Sequence, residues 1–476
     1  MTSPPIRRVA IIGAGVSGVL TAAHLKSEGL DVTVFERAPV TGGVWVWDSK
    51  LPLEPTYPSA KPSVASSTFY SPPDSNDQYI LHSGPGPAYD GLKNNVPTEL
   101  LEVSLNAWKP NTESFVDHHV LADYIQDTAF KTGVNDITHF NTQVQYVKKI
   151  NDQWKIKTAT WDHARQTTTS QDWTFDAVVV ASGHYHDPKT PDIPGLPEWK
   201  RAFPSRIQHS KGYRNNKGFE NQASQNILLI GGSASSVDIV KELAPIAKKV
   251  WQSTRGGSFD HPPSLLPENS ERVAQVSSFD SLQNGESKGS GAIPGTVTLV
   301  DGQVLENVDR VIVATGYQFT LPFLPEYHQD DLKPENADDR VLVSDGLQLH
   351  NLHQDIFYIP DPTLVFVGVP FYTATFSLFE FQAIAVAAFF SGRAKLPSEL
   401  DMRSEYNQRV KNKGYGKKFH SLWGADVEYA AALMEWVNEG RTPEEQKPSG
   451  YSQEWIETKE KMRLVPNPKN SLYQEA

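Results

Sequence analysis

Arg8-Val9-Ala10-Ile11-Ile12-Gly13-Ala14-Gly15-Val16-Ser17-Gly18 decides the fold of this chain. An apolar run of strand character feeds a complete G-x-G-x-x-G turn. Val16 to Glu28 then has helical apolar spacing through Val16, Val19, Leu20 and Ala23, and Gly29 ends it. Asp31 to Glu36 reads as the next strand. This strand–turn–helix–strand order presents backbone N–H groups to a pyrophosphate at a helix N-terminus. Glu36 closes the second strand, where a carboxylate accepts hydrogen bonds from an adenosine ribose. An acid there disfavours a 2′-phosphate, so FAD or NAD is expected at this turn rather than NADP.

A second unit opens at Asn226. Asn226-Ile227-Leu228-Leu229-Ile230 runs into Gly231-Gly232-Ser233-Ala234-Ser235-Ser236, so Gly231, Ser233 and Ser236 hold the three glycine positions. Serine still allows close backbone approach and adds a hydroxyl. Lys249 to Ser253 is the expected second strand, followed by Arg255. A guanidinium there suits a 2′-phosphate through bidentate contact, which points to NADPH.

Working outward, Phe175 to Gly183 and Asp309 to Tyr317 are matching strand-then-glycine patterns that bracket the second unit. We therefore expect an α/β protein with two Rossmann-like dinucleotide-binding domains, the second inserted within the first. The expected boundaries are 1–190 for the first part of the FAD domain, 191–320 for the NADPH domain, and 321–476 for the second FAD part with a C-terminal helical region. Segments 51–87 and 256–295 read as loops, 188–197 as a crossing linker, and 116–130 as a helix. Trp423, Trp436 and Trp455 mark the tail after about residue 400 as folded.

Composition narrows the function. The 476 residues carry a formal net charge of −12, which argues against a nucleic-acid surface or an anionic membrane patch. There is no cysteine, which excludes disulfides, thiolate metal sites, iron–sulfur clusters and redox dithiols. No metal site is spelled out; His118 and His119 open a helix and read as packing or capping residues. The longest apolar run, Ala383 to Phe390, is too short for a membrane span, which takes roughly 20 residues. No targeting segment or anchor is evident, so the expected location is the cytoplasm.

These motifs together resemble the flavin-containing monooxygenases, the class B type that is FAD- and NADPH-dependent and oxygenates nitrogen or sulfur. The family's linker signature F-x-G-x-x-x-H-x-x-x-[Y/F/W] matches at Phe203, His209 and Tyr213 and departs at Ser205, where glycine is usual. Gly42-Gly43-Val44-Trp45, Ser182-Gly183-His184-Tyr185, Ala314-Thr315-Gly316-Tyr317 and the helix-like stretch Phe376 to Ala383 agree with it. The resemblance runs from about residue 6 to about residue 390.

What the resemblance implies is a division of labour. FAD is held by Gly13, Gly15, Ser17, Gly18, Glu36, Arg37, Gly43, Val44, Trp45, Asn94, Asn95, Val144 and Gln382. NADPH is held by His209, Gly231, Ser233, Ala234, Ser235, Ser236 and Arg255. Asn95, within Tyr89-Asp90-Gly91-Leu92-Lys93-Asn94-Asn95-Val96-Pro97, carries over as the active-site asparagine. NADPH reduces the flavin, O2 adds to give a C4a-hydroperoxyflavin, and a soft nucleophilic nitrogen or sulfur of a small molecule takes the distal oxygen. His209 is expected to serve domain linkage or NADP placement rather than acid–base chemistry. Two alternatives stand beside this reading. A Baeyer–Villiger monooxygenase acting on a ketone shares the layout, but its linker typically ends in Trp followed by Pro or Asp, against Tyr213-Arg214 here. A non-catalytic NADPH-sensing flavoprotein is the alternative from another class. Substrate identity and oligomeric state, a homodimer among the options, stay open.

Overall fold

The computed structural model describes residues 5–70, 78–219, 225–282 and 291–464. Parts of both expected loops and the end of the tail lie outside these residues.

The opening stretch forms β1 (Arg8–Ile12), α1 (Val16–Ser27) and β2 (Asp31–Phe35), as its pattern predicts. β1 pairs in parallel with β2 on one side, Ile12 opposite Phe35. On its other side it pairs with β3 (Ala177–Val180), Ile12 opposite Val180. β3 pairs in parallel with Leu364–Phe366, and Thr138–His139 and an antiparallel edge complete a seven-stranded sheet. β3 is buried at every position, as expected for a parallel strand covered on both faces. α1 packs against α4 (Thr375–Phe390), a helix apolar on nearly every side and so enclosed in the core. The Ala383 to Phe390 run is therefore core. No helix among the described residues is long and apolar enough to cross a membrane.

The second unit repeats the pattern with β5 (Asn226–Ile230), α3 (Ala234–Leu243) and β6 (Lys249–Ser253). Its five parallel strands run in the order Ser270–Val273, β6, β5, Arg310–Val313 and β4 (Ile207–His209). The chain passes between the two sheets along a short antiparallel ribbon, Asp187–Pro188 against Tyr317–Gln318. Outgoing and returning crossings thus lie side by side, which is the geometry of one domain set into another.

Three expectations change. Segment 256–295 is not all loop: Ser270–Val273 adds an edge strand to β6, and Val276–Phe279 pairs with Val297–Leu299. Its serines hide a pattern in which Val273, Val276 and Phe279 are buried. Segment 51–87 contains a helical turn at Gln78–His82. The helix expected from 116 is α2 (His118–Lys131), because Val116 and Asp117 are taken up by Asn94 and by a β-bridge to Lys93. The tail is helical, with Glu399–Lys413, Asp426–Asn438 and Gln453–Leu464.

Candidate active site

The first glycine turn is built by close approaches that a side chain would block. Gly13 has φ +104, and a Cβ there would lie 2.6 Å from the Ala181 carbonyl oxygen. A Cβ on Gly18 would lie 1.9 Å from the Gly13 oxygen. Gly43 has φ +58, and its Cβ would meet the Gly15 Cα at 2.9 Å. The Gly43–Val44–Trp45 turn is therefore seated directly on the fingerprint, and the Gly42 N–H donates to the Ala14 carbonyl at 3.0 Å. Val44 borders solvent while the Trp45 ring stands edge-on to Phe376 of α4.

The Glu36 carboxylate reaches back to this turn. It accepts from the Ala14 N–H at 2.6 Å and the Ala38 N–H at 2.8 Å, and its burial raises its pKa. The Arg37 guanidinium lies against the His186 ring at 2.7 and 3.0 Å. Val144, on the antiparallel strand Thr142–Ile150, joins the core beneath Ile12 and Phe35. Gln382 of α4 accepts from the Gly368 N–H at 3.0 Å, and a Cβ on Gly368 would strike Ser17 Oγ at 2.3 Å. Ser17, Gly368 and Gln382 so close the N-terminus of α1.

The adjacent asparagines divide in role. Asn94 is buried: its amide donates to the Val96 and Ser114 carbonyls at 2.7 and 2.8 Å, and its oxygen accepts from the Val116 N–H at 2.7 Å. Asn95 is exposed, and among the described residues its amide makes no hydrogen bond. Asn94 shapes the loop and leaves the Asn95 side chain exposed.

The second turn copies the first. Gly13 N–H donates to Phe35 at 2.8 Å, and Gly231 N–H donates to Ser253 at 2.8 Å. Gly231 has φ +124, and its Cβ would lie 2.2 Å from the Ala314 oxygen, as Gly13 meets Ala181. Ser233 caps α3 with its backbone, Ala234 and Ser235 follow in the first turn, and Ser236 is buried with its hydroxyl accepting from Gln252 at 2.8 Å. The missing glycine there is accommodated by turning the side chain to β6. Arg255 borders an open cleft of about 420 Å³ shared with Thr254, Gly256 and Arg272. Sequence reasoning missed Arg272, which Gln252 and the His261 carbonyl hold at 2.8 Å each.

His209 ends β4 in full burial, and its Nδ1 accepts from the Lys211 N–H at 3.1 Å. Burial, with the nearby Lys211 charge, holds its pKa down to about 3, so the ring is neutral and unsuited to acid–base work. Lys211 donates to the His186 carbonyl at 2.8 Å. Burial, only partly offset by Asp187 and reinforced by Arg37 and Arg214, lowers its pKa to about 7.

This arrangement offers two strand–glycine turn–helix units and an exposed amide at Asn95. The chain matches the family model described as flavin-binding monooxygenase-like over residues 81–261 and 293–441. It belongs to this family of flavin-containing monooxygenases. Residues 11–46 match a NAD(P)-binding Rossmann-like domain as well. The chain is 45% identical to the flavin-containing monooxygenase ustF2 of Aspergillus flavus, covering 97% of this chain and 98% of that one. Among solved structures, S-allyl-L-cysteine S-oxygenase from Allium sativum matches with a TM-score of 0.68 and 25% identity, over 95% of this chain and 97% of that one. Cyclohexanone monooxygenase shares the fold, with a TM-score of 0.56 and 14% identity over 92% and 98% of the two chains.

The protein is thus an NADPH-dependent flavin monooxygenase that uses FAD and O2 and acts on a small molecule. The two glycine turns fit those groups, since each leads from a buried parallel strand into a helix N-terminus, where backbone N–H groups meet a pyrophosphate.

Proposed function

We propose that this monooxygenase transfers one oxygen atom to a soft nucleophilic nitrogen or sulfur of a small molecule. The bound flavin supplies the oxygen-transfer chemistry, and the protein supplies placement and exclusion of water. The observation that carries the reading is the exposed, unpartnered Asn95 amide beside its fully committed neighbour Asn94. Gly13, Gly15, Gly18, Glu36 and the Gly43 turn hold FAD in this reading. The Gly231 turn, Arg255 and Arg272 hold NADPH, with the nucleotide domain spanning about 191–320. A preformed electrophile needs no side-chain base aimed at the substrate. The neutral His209 is consistent with that.

The likeness to an S-oxygenase supports a thioether or amine substrate over a ketone. The test is NADPH consumption under air by FAD-loaded protein, offered amines, thioethers and ketones in turn, with peroxide quantified. The reading expects N- or S-oxide with little peroxide. Ester or lactone as the sole product would instead assign Baeyer–Villiger chemistry.

A further inference from the structure

Just past Arg255 the chain folds back over the second glycine turn. The His261 N–H donates to the Gly232 carbonyl at 2.8 Å. Asp260 packs so closely that a Cβ on Gly232 would meet its Oδ1 at 2.5 Å. At the tip of this loop Phe259 is half-buried and stacks on Tyr372, with ring centroids 5.3 Å apart and an interplanar angle of 12°. Phe259 belongs to the unit built on the second sheet. Tyr372 lies just before α4 of the first. The stack is a contact between the two units at the nucleotide turn.

Both rings are held from outside. Tyr372 has φ +55, a conformation that a non-glycine residue keeps only where its surroundings enforce it. Those surroundings come from the C-terminal tail. The Phe371 N–H donates to the His420 carbonyl at 3.2 Å, and the Leu422 N–H donates to the Phe371 carbonyl at 3.0 Å. Trp423 stands edge-on to Tyr372 with centroids 5.3 Å apart. The Lys417 ammonium lies over the Phe259 ring, 5.2 Å from its centroid. Ser233, in the glycine turn itself, faces the Tyr372 phenol.

We propose that Phe259 and Tyr372 form an aromatic clasp that retains the nicotinamide nucleotide, and that the tail from Lys417 to Trp423 sets it. The inference rests on the reading of the Gly231 turn and Arg255 as the NADPH site. A nucleotide running from Arg255 to that turn lies along the folded-back loop. The stack joins this loop to the opposite unit, so nucleotide release is tied to its opening. Tyr372 thus takes ring contacts from both sides, Phe259 of the second unit and Trp423 of the tail.

The test is the release rate of NADP⁺ from the FAD-loaded enzyme, followed through the flavin absorbance by stopped flow. Tyr372→Ala and Phe259→Ala are expected to speed release by roughly three- to tenfold, the range one aromatic pair supports. The double variant should be no faster than the faster single, because both remove the same contact. Tyr372→Phe keeps the ring and should restore release to within about twofold of the parent. Flavin content and thermal midpoint of each variant show that it is folded. Folded, yellow Tyr372→Ala and Phe259→Ala proteins that release NADP⁺ at the parent rate would overturn the clasp. If Arg255→Ala weakens NADP⁺ binding while these two do not, only the clasp falls. If the parent binds no NADP⁺, the reading of the second site falls and the clasp with it.

Discussion

The Tyr89 hydroxyl donates to Asp238 Oδ2 at 2.6 Å, joining the segment that leads to Asn95 to helix α3 of the other unit. One turn further along α3, Glu242 accepts from the Tyr213 hydroxyl at 2.6 Å. Glu242 also fits so tightly against Gly91 that a Cβ there would lie 2.1 Å from its Oε1. Two carboxylates on one helix face therefore grip the Asn95 segment and the end of the linker. The segment that carries Asn95 is thereby held against the unit built on the second sheet.

Breaking this grip should loosen chemistry before it loosens folding. Tyr89→Phe keeps the edge contact with Tyr213 but leaves the Asp238 carboxylate without its donor. A hydrogen bond to a charged group contributes about 1.5–3 kcal/mol. We expect a fall in unfolding free energy within that range by denaturant titration, and a larger share of NADPH oxidation ending as peroxide. An unchanged peroxide share would remove the positioning role from Tyr89.

In the proposed FAD site, the Gly43 turn lies directly on the fingerprint. Gly43→Ala places a Cβ 2.9 Å from the Gly15 Cα at a left-handed φ, so turn and fingerprint must separate. The expected outcome is a folded protein with much reduced flavin per chain, read from the ratio of visible to ultraviolet absorbance. Gly29 has φ +81 but open space around it, so Gly29→Asn should keep its flavin.

Arg255 should set the choice between nicotinamide nucleotides. Removing a guanidinium from a phosphate contact costs about 1.5–3 kcal/mol, or roughly ten- to a hundredfold in affinity. Arg255→Ala should raise KM for NADPH by that factor and leave KM for NADH nearly unchanged. Equal losses for both would move the 2′-phosphate away from Arg255, and Arg272, in the same cleft, would be the next residue to test.

Lys211 predicts a pH dependence of stability. Its ordinary value of 10.5 falls to about 7 in the folded chain, mainly through burial. Between those values the unfolded chain binds the extra proton, so this residue's destabilisation is absent above 10.5. It grows as pH falls and is complete below about 7. Lys211→Met should therefore gain thermal stability relative to the parent as pH falls from 10 to 7, with the gap constant below that. A gap independent of pH would show that Lys211 is charged throughout.

The parts of this architecture legible in sequence are those with a local cause. The turns at Gly13 and Gly231 need positive φ and close carbonyl approach, and β6 lies where its apolar run predicts. The strand Ser270–Val273 was not legible, because as a sheet edge it buries one residue of four. Arg272 follows from that strand and was missed with it. The contacts of Tyr89 with Asp238 and of Phe259 with Tyr372 join residues far apart in sequence, and no local pattern announces them. Asn94 and Asn95 are chemically identical, and only the packed loop separates the brace from the free amide.

Incubation of the FAD-loaded protein with NADPH and isotopically heavy dioxygen, with a thioether or amine substrate, tests the central claim most directly. The account predicts one heavy oxygen atom on sulfur or nitrogen for each NADPH consumed, seen by mass spectrometry of the product. Yellow protein that consumes no NADPH, or product oxygen drawn from water, would contradict it.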